Sequence, residues 1–219
     1  MAPAIAETLM SVCELCEKRR ARRYCPGVRG DICPRCCGEE REISIDCPLE
    51  CEFLQEARRH EKPPEVDPDE IPNKDIEVTK QFLHRNEHLV NHIGRALVTA
   101  ALTTPGVVDS DVREALQAMI RTYLTLESGL IYETHTNNPY AGAIQQRLGT
   151  AISEYRRQMA EQTGVHTIRD KDVLGVLVFL QRVEYHQANG RRRGRAFLDF
   201  LRTHFPGDQP SAAGPVVVP

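Results

Sequence analysis

Apolar residues recur at helical spacing through the second half of the chain, from about residue 76 to residue 205. Ile144, Leu148, Ile152 and Tyr155, for example, step by four, four and three residues, which places them on one helix face. The pattern predicts five amphipathic helices, over about residues 76–102, 111–129, 139–164, 170–189 and 195–204. Helices of this length can enclose a core. The chain is therefore predicted to be mostly α, with a roughly five-helix bundle over 76–206.

Local signals mark where several of these helices begin and end. Asp111, with Glu114 three residues later, reads as a capping box. Asn138 and Pro139 read as an N-cap and a first helical residue. Gly164 is predicted to end that helix, and Gly190 to cap the next one. The segment "VLGVLVFL" of the fourth helix is apolar nearly all round, which predicts a central position in the bundle.

The first quarter of the chain has a different pattern, because all eight cysteines lie within residues 10–62. Their spacing is C-x2-C, then Cys25, then C-x2-C-C, then C-x3-C. A C-x2-C pair can wrap two sulfurs around one metal ion, and eight thiolates match two tetrahedral four-sulfur zinc sites. Because adjacent side chains diverge, Cys36 and Cys37 are predicted to serve different ions.

The favoured assignment divides the cysteines into two interleaved sets, Cys13, Cys16, Cys33 and Cys36 for one zinc, and Cys25, Cys37, Cys47 and Cys51 for the other. The last pair suits the start of a helix with Pro48 as its first residue, because positions i and i+4 share a face. Another pairing of the middle four ligands stays open. Both zincs are predicted to be structural, because every coordination position is filled by protein.

Metal is also expected on thermodynamic grounds. About fifty residues with few large apolar side chains cannot bury enough surface to offset chain entropy. A structural zinc contributes roughly 10–16 kcal/mol in small finger peptides, which is enough to fold such a segment.

The stretch "ICPRCCGEEREISIDCPLECEFLQEARRHE" resembles a group of uncharacterised bacterial zinc-finger proteins. They share an ICPxCCG turn and a CPxxC helix that continues into "AR", and all eight cysteines match this framework. The resemblance covers about residues 13–62 and implies a small bacterial zinc module without implying an activity. The interleaved spacing is also loosely similar to cross-brace fingers of the MYND and HIT type, which are chiefly protein-binding modules.

Composition and charge narrow the classes of function. The net charge of −3 argues against a general polyanion binder. No apolar run approaches the roughly 20 residues needed to cross a membrane. The first ten residues lack a secretory pattern, so a reducing, cytoplasmic location is expected. An acidic, proline-rich linker is predicted over 63–75, and a disordered tail over 207–219.

Two basic runs are candidate anion or partner contacts: Lys18, Arg19, Arg20, Arg22 and Arg23, and Arg191, Arg192, Arg193 and Arg195. The first run is interpreted mainly as charge compensation, because each four-thiolate zinc carries a formal charge of −2. The second is either a solvated loop that favours the C-terminus of the preceding helix, or a contact for an acidic partner or for the acidic linker.

Other candidate residues lie in the helical block. His84, His88 and His92 fall at i, i+4 and i+8 and offer a weak metal-site signal. Glu127, Glu133 and Glu184 are acidic residues near apolar stretches, and are interpreted as candidate paired core carboxylates. The sequence contains no Ser-His-Asp order with local context, no phosphate-binding Gly loop and no reactive-cysteine signature.

The leading hypothesis is a non-enzymatic zinc-binding adaptor or regulator that binds a protein partner. A nucleic-acid-associated regulator that uses the basic runs is the alternative. An enzyme with a site in the helical block ranks third.

Overall fold

The computed structural model describes residues 11–62, 65–165 and 168–206. Pro63, Pro64 and the tail predicted over 207–219 lie outside this part of the chain. The described residues form two compact units. Of the described residues, the first unit holds 11–62 together with Gly190–Gly194, and the second holds the rest.

The first unit is a small α+β module. Its strands β1 (Arg23–Cys25) and β2 (Gly30–Ile32) pair antiparallel, with Cys25 opposite Gly30. The two helices of this unit are α1 (Pro34–Glu39) and α2 (Glu52–His60). Cysteines supply six of the nine side chains in its buried cluster, alongside Ile32, Ile45 and Leu54. The sequence predicted a helix in the region of α2, but neither α1 nor the hairpin.

The second unit is all-helical in its described residues, with six helices: α3 (Lys80–Arg85), α4 (Glu87–Leu102), α5 (Asp109–Glu127), α6 (Pro139–Thr163), α7 (Asp170–Gln187) and α8 (Ala196–His204). Every residue from Val173 to Val178 is buried. The predicted central position is confirmed for this stretch of α7, because it has no polar side chain to present to water. The mostly helical fold with a small cysteine-rich module is confirmed as well.

The helix predicted over residues 76–102 is wrong as a single element, because the chain breaks it at Asn86. The Asn86 side-chain amide donates to the carbonyl of Phe82 at 3.0 Å, and thereby satisfies a carbonyl at the end of α3. Phe82 packs so closely on Gly175 of α7 that a Cβ there would lie 2.4 Å from the Phe82 ring. The break thus allows α3 to turn onto α7.

The start of α5 also differs from the prediction, because the helix begins at Asp109 rather than Asp111. Asp111 accepts the backbone N–H of Val108 at 2.9 Å, which satisfies a donor at the helix start. The carboxylate of Asp109 accepts the N–H groups of Phe197 and Leu198, each at 3.0 Å, and so caps α8. The predicted Glu114 capping partner contacts Asn138 instead.

The predicted boundaries of α6 are confirmed. The Asn138 side chain accepts the N–H groups of Tyr140 and Ala141, and Gly164 adopts a left-handed conformation with φ of 71°. The predicted cap of α7 at Gly190 is wrong, because Ala188 occupies that position.

The second half of the predicted linker is fixed to α7. The Arg182 guanidinium donates to the carbonyls of Asn73 and Ile76, and Asn73 donates to the side chain of Gln181 at 2.6 Å. Three hydrogen bonds of this kind make the segment part of the helical unit rather than a free spacer. Within the described residues, no helix is both long and apolar enough to span a membrane.

Candidate metal centre

Four cysteines of the first unit converge on one point. The sulfurs of Cys13, Cys16, Cys33 and Cys36 all lie within 4.8 Å of one another. Three of these residues are buried and Cys16 is half-buried. A tetrahedral ion with metal–sulfur bonds of about 2.3 Å needs sulfurs about 3.8 Å apart, a separation that lies within this limit. The set is the one that the spacing predicted for the first site.

The backbone around each pair aims the sulfurs inward. Glu17 takes a left-handed conformation with φ of 51°, and its N–H donates to the Cys13 carbonyl at 2.7 Å. This closes a tight turn around Cys13 and Cys16. Cys33 is the N-cap of α1, and its sulfur accepts the Cys36 N–H at 3.4 Å. A turn and a helix start therefore each present two thiols.

The thiols of this cluster differ in acidity. Burial raises the pKa of Cys13, but backbone hydrogen bonds from Cys33, Cys16 and Leu15 outweigh it and leave the pKa lowered. Backbone hydrogen bonds, from Lys18 for Cys16 and from Cys36 for Cys33, likewise lower the pKa of these two thiols. Burial and its hydrogen bonds to Cys33, Cys16 and Cys13 raise the pKa of Cys36 to about 12. Three thiols with lowered pKa values favour the thiolate form, which is the form that binds a metal ion.

Arginines from the first basic run face the cysteine sulfurs. Arg19 donates to Cys33 Sγ at 3.4 Å. Arg23 donates to Cys37 Sγ at 3.6 Å, and its guanidinium stacks 4.1 Å from the Phe53 ring centroid. This geometry agrees with charge compensation for these two residues. Lys18, Arg20 and Arg22 are exposed.

The other four cysteines share the buried core of the unit with the first set. Burial raises the pKa of Cys47 to about 11, and the nearby charges of Cys25, Glu42 and Cys51 act in the same direction. Cys37 accepts hydrogen bonds from Arg23 and from Arg41, the latter at 3.7 Å. Cys25, Cys37, Cys47 and Cys51 do not form a second group with all sulfurs within 4.8 Å.

Pro48 is not the first residue of a helix, as the sequence had predicted. Residues 49–50 form a turn in which the Cys51 N–H donates to the Pro48 carbonyl at 3.0 Å, and α2 begins at Glu52 with Cys51 as its N-cap. Cys47 and Cys51 therefore come from a turn, which places their sulfurs without requiring helical spacing.

Within the first unit, arginines of the second basic run contact a residue that the sequence did not single out. Glu42 is fully buried, with its side chain 0% exposed. Its carboxylate lies 2.7 Å from Arg58 Nη2 and 3.4 Å from Arg191 Nη1. The Arg193 N–H donates to the Glu42 carbonyl at 2.7 Å. A charged residue in a short loop gives no sequence signal for such a role.

The remaining arginines of this run are placed separately. Arg192 is exposed. Arg195 belongs to the second unit and donates to the Val107 carbonyl at 2.8 Å. Arg191 also lies 2.6 Å from Glu61, and Arg193 lies 3.8 Å from Asp46. The interpretation of the run as a freely solvated loop is wrong for Arg191, and its acidic contacts are not in the predicted linker.

The candidate residues of the helical block do not converge. His84 precedes the break at Asn86, and His92 stacks on Tyr155 with ring centroids 4.1 Å apart. Within the described residues, no histidine belongs to a metal-type cluster. Glu127 and Glu133 are exposed, whereas Glu184 is buried and accepts two hydrogen bonds from Arg113 at 3.0 Å. Of these three predicted glutamates, only Glu184 is a paired core carboxylate.

A cleft of about 720 Å³ lies in the second unit between α5 and α6. Its wall includes Tyr123, Gln145 and Ser153, with Glu133 and His135 from the connection between the two helices. The Glu133 carboxylate and the His135 ring are 4.0 Å apart and both are exposed, so they form no enclosed acid–base pair.

Comparison of the chain with protein-family models, curated proteins and solved structures returned no match. The assignment of function therefore rests on the geometry of this site.

Proposed function

We propose that the protein is a non-enzymatic adaptor or regulator whose first unit is held in shape by structural zinc. The observation that carries this proposal is the convergence of the sulfurs of Cys13, Cys16, Cys33 and Cys36. Zinc is the metal that four thiolates in tetrahedral array favour, and a site closed by four protein ligands leaves no position for a reacting water.

A second zinc is proposed at Cys25, Cys37, Cys47 and Cys51. Support comes from their shared burial and from the charge effect of Cys25 and Cys51 on Cys47. Arg23 and Arg41 at Cys37 stabilise negative charge on its sulfur. Two four-thiolate zincs add a formal charge of −4 to the unit, and the arginines of the Gly190–Gly194 segment offset part of it.

Elemental analysis of reduced, purified protein tests both sites. We expect two zincs per chain, and one zinc in each of the variants Cys36→Ser and Cys37→Ser. These neighbouring substitutions are a matched pair, since each removes one sulfur from a different set. A parent without zinc contradicts the proposal, and a parent with one zinc contradicts the second site alone.

A protein partner is proposed because the first unit exposes large apolar side chains although it is small. Leu15 is 40% exposed, Ile43 47%, Val12 54% and Tyr24 60%. Apolar and aromatic side chains at the surface favour protein contacts. These four lie outside the metal-ligand sets.

Quantitative affinity capture tests the adaptor role. The variants Leu15→Ser and Tyr24→Ser are expected to keep two zincs and to lose a partner that the parent retains. Leu102→Ser, at an exposed position of the second unit, serves as the control and should retain it. No partner above background, or equal recovery by all variants, contradicts the adaptor role.

A nucleic-acid regulator is the second candidate, supported by the exposure of Lys18, Arg20 and Arg22. Phosphate contacts by these side chains would give an affinity for mixed DNA or RNA that falls steeply with salt. A titration at low ionic strength decides between the two, because an absence of binding there eliminates this candidate.

A further inference from the structure

We propose that Glu42 is a receptor for arginine within the first unit, and that metal at Cys25, Cys37, Cys47 and Cys51 shapes it. The occupant is the chain's own Gly190–Gly194 segment, which is seated when that metal is bound and released when it is removed. The inference rests on the second zinc of the proposed function and adds a regulated contact to it.

The receptor has the features of a built site rather than of a surface ion pair. The Glu42 carboxylate is removed from water and meets two guanidinium groups, from Arg58 of α2 and from Arg191. A buried carboxylate is strongly destabilising unless cations and hydrogen bonds satisfy it. Arg58 is itself only 12% exposed, so it forms the floor of the site, and Arg191 enters from the more open side with 30% exposure.

The arginine segment is held at more than one point. Arg191 reaches Glu42 with one nitrogen and Glu61 with another, the latter at 2.6 Å. The backbone N–H of Arg193 donates to the Glu42 carbonyl at 2.7 Å. Glu42 therefore binds both the Arg191 side chain and the Arg193 backbone N–H. Two contacts with one residue fix the position of the Gly190–Gly194 segment.

The position of Glu42 connects this receptor with the second cysteine set. Glu42 lies between Cys37 and Cys47 in the chain, and its backbone N–H donates to the Cys47 sulfur. Its φ of 55° is left-handed, a conformation that is unfavourable for a residue other than glycine. A loop closed at both ends by a metal can hold that conformation, because the alternatives open to a free loop are removed.

Removal of the metal would release the Gly190–Gly194 segment from Glu42 for a direct physical reason. Loss of the metal frees the 38–46 loop to leave the left-handed conformation at Glu42. The Glu42 carboxylate then gains water as a competitor for arginine, and the carbonyl that holds Arg193 moves with it. Release adds Arg191 to Arg192 and Arg193, which are already exposed, and the three arginines together form a surface that suits an acidic partner.

The exchange rate of the Arg193 amide proton shows whether the Gly190–Gly194 segment is bound at Glu42. It can be measured on the full chain by NMR or by peptide-resolved mass spectrometry. We expect Glu42→Gln to accelerate this exchange roughly tenfold or more, as loss of a charged hydrogen bond implies. Glu39→Gln, at an exposed glutamate of α1, is the control and should leave it unchanged. Unchanged exchange in Glu42→Gln overturns the receptor.

A second pair of variants avoids any general effect of altering a buried residue. Arg191→Met is expected to accelerate Arg193 exchange while Glu42 keeps Arg58 as its partner. Arg192→Met changes the neighbouring exposed arginine and should have no effect. Equal behaviour of these two variants also overturns the receptor.

The link to metal is decided by comparing Cys51→Ser with Cys16→Ser, both at half-buried cysteines. Each is expected to hold one zinc by elemental analysis, but only Cys51→Ser should accelerate Arg193 exchange. Equal exchange in the two variants overturns the link. A parent that lacks the second zinc would instead overturn the proposed second site, while the results at Glu42 and Arg191 would stand on their own.

Discussion

The two units of the molecule have buried clusters of different size and composition. The second unit has a core cluster of 27 buried apolar residues, among the residues that the structure describes. The corresponding cluster of the first unit has nine, and six of these are cysteines. These three buried aliphatic side chains, together with the buried Ala21 and Leu49 elsewhere in the unit, cannot offset the entropy of ordering some fifty residues. In the short first unit, cysteine side chains and buried charged groups therefore take the place of the large buried apolar area of the second unit.

The largest effect expected from this difference follows metal removal. Chelation under reducing conditions should unfold the first unit, because a structural zinc supplies roughly 10 kcal/mol. Amides of β1 and β2 should lose protection from hydrogen exchange, whereas those of α7 should keep it. Retention of hairpin protection after complete loss of metal would show that the two units do not differ in this way.

The converse change removes apolar area from the second unit. Leu177 is 0% exposed in the central helix, so Leu177→Ala should destabilise this unit by about 3 kcal/mol. The zinc content should not change. Leu102→Ala, at a side chain 48% exposed, is the matched control and should cost less than about 0.5 kcal/mol. Thermal unfolding followed by circular dichroism measures both, and equal effects would contradict the assignment of the core.

A smaller effect is expected from the buried ion pair of the second unit. Arg113→Met would leave the Glu184 carboxylate buried without its cation, at a cost of about 2 kcal/mol, since Arg113 is itself 43% exposed. Burial raises the pKa of Glu184, so protonation relieves the penalty. Stability of the variant should therefore recover as pH falls through this raised pKa. A variant whose deficit is constant from pH 7 to pH 4 would exclude this explanation.

The smallest effect concerns the start of α7. Burial raises the pKa of Asp172, but hydrogen bonds from Arg169 outweigh it and leave the pKa lowered. Asp172 therefore stabilises the fold above its unfolded pKa of about 3.9, and this contribution is lost as pH falls through the lower folded value. Asp172→Asn should cost about 1 kcal/mol at pH 7 and much less at pH 2. Urea titrations at the two pH values measure the difference, and an equal cost at both would contradict it.

Elements defined by local chemistry were predicted well. The Asn138–Pro139 start and the Gly164 stop of α6 depend on residues that satisfy nearby backbone groups, so their neighbours in sequence are sufficient to identify them. The central position of α7 followed from the absence of a polar face. The first metal-type set followed from its two C-x2-C pairs.

Other features escaped prediction because their partners are distant in sequence. Asp109 caps α8, which begins 87 residues later, rather than acting only in its own helix. Asn86 ends α3 where the Phe82 ring packs on Gly175 of α7. Neither contact changes the local apolar periodicity. The sequence therefore favoured one uninterrupted helix over residues 76–102 and a later start for α5.

By itself, the sequence determined the helical content and one set of four cysteines that could hold a metal ion, since thiol spacing, caps and apolar period act over a few residues. Only the tertiary structure decided that Glu42 meets Arg58 and Arg191, because a buried charge selects its partner by proximity in space. Short-range geometry depends on neighbouring residues, whereas the pairing of isolated charges depends on how the whole unit folds.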